Sequence, residues 1–186
     1  MPFTAGADRG QGCACHARLP RGLNRRFLLR AVGAGVLLAA SPRLVRAASG
    51  KYEAMILACI DPRTQEPVCS YAAKHGLTGQ YSQFAIAGAA IGVVAPKFAD
   101  WHKTFWDNHA TSIELHQVGK VIAIDHRDCG AAKIAYGEAA VADPARETET
   151  HRKALAQFRE EVGKRHPNMA VETGLMALDG SVEMLG

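Results

Sequence analysis

Short runs of consecutive apolar residues alternate along the chain with longer stretches of helical periodicity. Residues 52–59 form the first run, ended by Asp61-Pro62, because proline cannot continue a paired strand. A helix is predicted next, with Thr64 as its N-cap, Pro67 in its first turn and Gly76 past its end. Residues 83–87 read as a second strand closing on Gly88. Pro96 opens a helical stretch to about residue 118 that sets Phe98, Trp101, Phe105 and Ile113 near one face. Residues 121–124 form a third, wholly apolar strand, followed by a loop at Asp125-His126. Helices are predicted near 131–138 and 146–164, the second started by Asp143-Pro144. Residues 169–178, Asp179-Gly180 and residues 181–185 read as a strand and hairpin.

Strands that are apolar on both faces and separated by helices imply an α/β fold: a mostly parallel sheet of four to five strands flanked by helices. In such sheets functional groups gather beyond the carboxyl ends of the strands, near the switch in strand order. Two of the predicted strands end in polar clusters, and both clusters carry cysteine.

Composition narrows the class. The chain has 186 residues, 48% hydrophobic and 22% charged, which suits one globular domain rather than a disordered or fibrous chain. Five cysteines are too few for a disulfide scaffold. The net charge of +4 is unevenly placed: residues 1–47 hold eight arginines against one aspartate, leaving the remainder at −3. With an acidic body and no basic stripe, nucleic acid is not an expected partner.

The leader explains the imbalance. Asn24-Arg25-Arg26-Phe27-Leu28-Leu29-Arg30 resembles a twin-arginine export signal. A weakly apolar run at 31–40 follows, then Val45-Arg46-Ala47, with small or apolar residues where a signal peptidase reads. That run is well short of the roughly 18 residues that span a bilayer. The expected organisation is an export signal over 1–47, cleaved after Ala47, and a functional domain over 48–186. The expected destination is the periplasm, reached folded through the twin-arginine translocation machinery. Cys13 and Cys15 lie upstream of the paired arginines and would be removed with the signal.

The chemistry sits in Cys59-Ile60-Asp61-Pro62-Arg63 and His126-Arg127-Asp128-Cys129-Gly130. Two thiolates and one imidazole are a donor set suited to zinc, and three protein ligands leave a fourth corner for water. Adjacent parallel strands would bring the clusters together. Cys129 would sit where a helix begins, which favours its thiolate.

These two clusters resemble the zinc site of the beta-class carbonic anhydrases. Phe84-Ala85-Ile86-Ala87-Gly88, Ser112-Ile113-Glu114 with residues 121–128, and residues 170–185 are also similar to that family, so the resemblance covers about 52–186. It implies that Cys59, His126 and Cys129 bind Zn2+ and that Asp61 and Arg63 form a catalytic dyad. In some members the aspartate also turns onto the metal, which makes Asp61 a candidate fourth ligand. The implied activity is reversible hydration of carbon dioxide to bicarbonate by zinc-bound hydroxide, in a homodimer or higher assembly. Three departures stand out: Ala85-Ile86 replaces Arg-Asn, Asp125 replaces a glycine, and Arg127 replaces a small hydroxyl residue. The changes at 85, 86 and 127 keep open a hydrolase of carbonyl sulfide or carbon disulfide; a non-catalytic zinc-binding protein is a further alternative.

His75, His102, His109 and His116 are candidate proton carriers, with surface or helix-face placement the expectation for each. The last three recur every seven residues, about 10.5 Å apart on a helix, so they cannot share one metal. Cys69 is expected as a buried helix residue.

Overall fold

The structure, a computed structural model, describes residues 50–186. The expected export signal and cleavage site, with Cys13 and Cys15, lie outside the described residues. Among the described residues five strands make one sheet: β1 (Ala54–Ala58), β2 (Tyr81–Ala85), β3 (Lys120–His126), β4 (Ala170–Met176) and β5 (Val182–Met184). The order is β2-β1-β3-β4-β5, parallel except for the β4–β5 hairpin. The expected α/β architecture is therefore present.

Five α-helices connect them: α1 (Gln65–Lys74), α2 (Ala90–Val94), α3 (Ala99–His116), α4 (Gly130–Tyr136) and α5 (Pro144–Arg165). β1 is buried along its whole length, and alternate residues serve opposite faces. Met55, Leu57 and Cys59 enter the larger core, with Ile91, Phe105, Leu155 and Phe158. Ala54, Ile56 and Ala58 enter a smaller one with Val68, Tyr71, Ile122 and Ile124. Both faces are thus covered, and a parallel pair needs that cover.

Several local expectations are corrected. β2 begins two residues earlier than expected and is half-exposed, because it is an edge strand rather than one covered on both sides. Thr64 is not a side-chain cap: Asp61 accepts the Arg63 N–H and starts a 3-10 turn over Pro62–Thr64, while the Thr64 hydroxyl donates to the Asp61 carbonyl. Pro96 opens another 3-10 turn, Pro96–Phe98, before α3. α2 was not anticipated. Its N-cap, Ala89, has φ 48° and offers no side-chain cap, so the usual starting signal is missing. At the other end of α5, Asp143 does cap as expected, accepting from the N–H groups of Ala145 and Arg146.

Candidate metal centre

The chain leaves β1 toward β2 on one side and later reaches β3 on the other, so β1 and β3 flank the switch in strand order. Ala58 lies beside Ile124 in the parallel register, which sets Cys59 and His126 at the same edge. One Cys59 sulfur, one His126 ring nitrogen and the Cys129 sulfur all lie within 4.8 Å of one another, and all three residues are buried. Donors from two distant segments therefore meet, as their positions at neighbouring strand ends require.

The histidine is aimed. His126 Nδ1 lies 2.8 Å from the Arg127 carbonyl, which can only accept, so Nδ1 carries the proton. That leaves the lone pair on Nε2, which is buried without a hydrogen-bond partner. A buried nitrogen without a partner, pointing between two thiols, is the arrangement that a metal ion satisfies. The thiols add to the fit. The Cys59 thiol is drawn down by the Cys129 hydrogen bond, against burial, with help from His126 and the Gly88 N–H at 3.2 Å. The same interaction with a charged Cys59, together with burial, pushes Cys129 up. One thiol ionises easily and the second resists; a divalent cation between them lets both ionise.

Gly88 is needed for this contact. Its φ is +81°, and a Cβ there would lie 3.0 Å from Ala131 Cβ and 3.2 Å from Ile91 Cβ. Only glycine lets the backbone press its amide against the Cys59 sulfur.

Asp61 and Arg63 stand at the open side. Arg63 Nε donates to Asp61 Oδ1 at 3.0 Å and Nη2 to Oδ2 at 2.8 Å. The guanidinium holds the Asp61 carboxyl down at about 2. Asp61 Oδ2 lies 3.9 Å from His126 Nε2, beside the three-donor group but turned to the arginine. Arg63 also bonds Asp128, Nη1 to the carboxylate at 2.8 Å and Nη2 to the carbonyl at 3.1 Å. The sequence reading did not single out Asp128, although it lies inside the second cluster.

It also missed two residues on α5. Glu147 accepts the Asp128 N–H and pairs with Arg127 at 3.1 Å. His151 Nδ1 lies 2.8 Å from Asp125 Oδ2, with both side chains fully buried; Asp125 Oδ1 accepts the Ala90 N–H at 2.9 Å. No local pattern links these partners, because they join segments about twenty residues or more apart in the chain.

Residues 49–184 match the model of the family described as "Putative carbonic anhydrase". The chain belongs to that family. Two Rickettsia proteins, from R. bellii (strain RML369-C) and R. conorii (strain ATCC VR-613 / Malish 7), are each 30% identical to this carbonic anhydrase family member over 131 residues. The alignments cover 70% of this chain and 80% and 70% of theirs, and both are described only as uncharacterized. The fold is similar to that of a carbonic anhydrase from Streptococcus mutans, with a TM-score of 0.50 at 16% identity, covering 87% of this chain and 92% of that one. It is also similar to the β-carbonic anhydrase CafA of Aspergillus fumigatus, with a TM-score of 0.51 at 14% identity, covering 73% and 76%. The chain is thus a divergent member with the β-carbonic anhydrase fold.

The candidate proton carriers separate. His102 bonds the Ala95 carbonyl, His116 bonds Ser82 and His75 bonds the Tyr71 carbonyl. His109 departs from the expectation of a surface or satisfied position: it is fully buried with neither nitrogen bonded, and burial followed by nearby His166 lowers it to about 4. A histidine that stays neutral near pH 7 does not take up the extra proton that a carrier must hold. Cys69 is half-buried rather than buried, and the free thiols among the described residues are those of Cys59 and Cys129.

Proposed function

We propose that this protein is a zinc-dependent carbonic anhydrase that interconverts carbon dioxide and bicarbonate. The observation that carries the reading is the buried Cys59–His126–Cys129 group with an ionised Asp61 at its side. Cys59, His126 and Cys129 would hold the zinc ion, which would supply Lewis acidity and make a bound water more acidic. Asp61, oriented by the Arg63 fork, accepts a hydrogen bond from the attacking water or hydroxide at a carboxylate oxygen and so aims its lone pair at the substrate. Its charge persists at neutral pH because Arg63 stabilises it.

An apolar groove of about 380 Å³, lined by Ile60, Phe84, Ala85, Ile86, Ala87 and Trp101, suits an uncharged linear substrate. The groove also favours a second reading, hydrolysis of carbonyl sulfide or carbon disulfide, since Ala85 and Ile86 line it with no charge. Exposed Ile60 and Trp101 on the same groove support a homodimer or larger assembly. The paired arginines at 25 and 26 support periplasmic export, and no described helix is long and apolar enough to cross a membrane.

The deciding experiment is metal analysis of the leaderless protein with stopped-flow proton release on carbon dioxide, run beside the two sulfur compounds. Stoichiometric zinc with carbon dioxide hydration is the expected result. Zinc with turnover of the sulfur compounds alone selects the second reading, and zinc with no turnover leaves a binding protein.

A further inference from the structure

His126 is flanked on both sides by residues gripped from one helix. Glu147 and His151 stand one turn apart on α5, so they share a face, and both are buried. His151 holds Asp125, the residue before the histidine, at 2.8 Å. Glu147 holds the two residues after it: Oε1 accepts the Asp128 N–H at 2.5 Å and Oε2 accepts from Arg127 Nη1 at 3.1 Å. Arg127 is fixed further by Thr148 Oγ1 at 2.8 Å, again from α5.

Asp128 needs such support. It has φ 54°, a left-handed conformation that a non-glycine residue adopts at a cost, and it sits between two of the three donors. Its carboxylate and carbonyl both receive Arg63, so the conformation of residue 128 sets the arginine that orients Asp61. The Arg127 carbonyl, which fixes the His126 proton, belongs to the same short loop.

We propose that Glu147 is a positioning residue of the metal centre: by clamping Arg127 and the Asp128 amide it fixes the loop that aims His126 and Cys129 and seats Arg63. Glu147 touches neither metal nor substrate. The inference rests on the reading of Cys59, His126 and Cys129 as a metal site, and not on which substrate is turned over.

The test uses the full chain loaded with zinc or cobalt(II). Glu147→Ala removes both bonds, and chelator competition is expected to show zinc affinity falling about 10- to 100-fold, with the cobalt visible bands shifted. Glu147→Gln keeps a carbonyl oxygen for the Asp128 amide and is expected to recover most of the affinity and the wild-type spectrum. If the alanine variant does not fold, Glu147→Asp, which keeps the charge but shortens the reach, is expected to show the same spectral shift. Wild-type zinc affinity and unmoved cobalt bands in a folded alanine or aspartate variant overturn the proposal, even if the melting temperature falls. A wild-type protein that binds zinc but does not hydrate carbon dioxide refutes the carbonic anhydrase reading and leaves this test standing. One that binds neither metal refutes both.

Discussion

Arg63 meets Asp61 fork to fork, Nε on one carboxylate oxygen at 3.0 Å and Nη2 on the other at 2.8 Å. Two parallel donors fix the plane of the carboxylate as well as its charge. Replacing Asp61 by Asn keeps the shape but removes the charged hydrogen-bond acceptor. Zinc content is expected to be unchanged while kcat for carbon dioxide hydration falls about 100-fold, the order that losing the orientation of a reacting group costs. Metal analysis and stopped-flow rates on one preparation check both halves, and an unchanged rate removes Asp61 from the mechanism.

Arg63→Lys preserves the charge and loses the fork. A lysine cannot span Asp61 and Asp128 with the geometry that guanidinium provides. The expected loss is about 100-fold in kcat, since misplacing a reacting group by an ångström costs that order. A rate within twofold of wild type would show that charge alone is sufficient.

His109 makes stability depend on pH. Its folded value, about 4, lies below the ordinary 6.5, so between those limits the unfolded chain binds more protons than the folded one. Stability therefore falls as pH drops from about 6.5 to about 4, by up to about 3 kcal/mol, and this contribution is flat outside that window. Burial opposes a charge on the ring first, and His166, its ring centroid 5.0 Å away, adds to it. Urea titrations of His109→Leu across pH 4–7 should show a shallower slope than wild type. An equal slope would assign the acid sensitivity elsewhere.

Removing the metal should expose a redox reaction. The free Cys59 and Cys129 thiols lie within bridging range, their sulfurs among atoms no more than 4.8 Å apart. In chelator-treated protein exposed to air, the two thiols lose two protons and two electrons to dioxygen, giving a disulfide and hydrogen peroxide. Thiol titration in a Cys69→Ser background should then fall by two per chain, while zinc-loaded protein keeps both. Retention of both thiols without metal would show that the backbone holds them in a geometry no disulfide accepts.

The five residues first singled out were legible because each cluster is local. A cysteine or histidine at the end of an apolar strand, with its acid, base or second thiol two or three positions on, is visible without knowing the fold. Cys59, Asp61 and Arg63 on one segment, and His126 and Cys129 on the other, needed only adjacent strands to meet, and the both-face apolar pattern of β1 and β3 supplied that. Glu147 and His151 were not legible. They sit in a strongly charged helix where an acid or a histidine usually faces water, and their partners are 19 and 26 residues away. His109 misled for a related reason. A seven-residue spacing tells which face of α3 it occupies but not that His166, just past the end of α5, is brought against it. α2 escaped because five small and branched residues, interrupted by Gly92, carry no periodicity.

Cys59 continues the odd-numbered face of β1, in line with Met55 and Leu57, so the thiol is an extension of the hydrophobic interior rather than an ornament on a loop. Slipping that strand by a single position would turn every side chain over and offer Ala58 or Ile60 where the sulfur belongs. Correct threading of the sheet and competence to capture an ion are thereby the same event, and a misregistered molecule betrays itself by remaining empty.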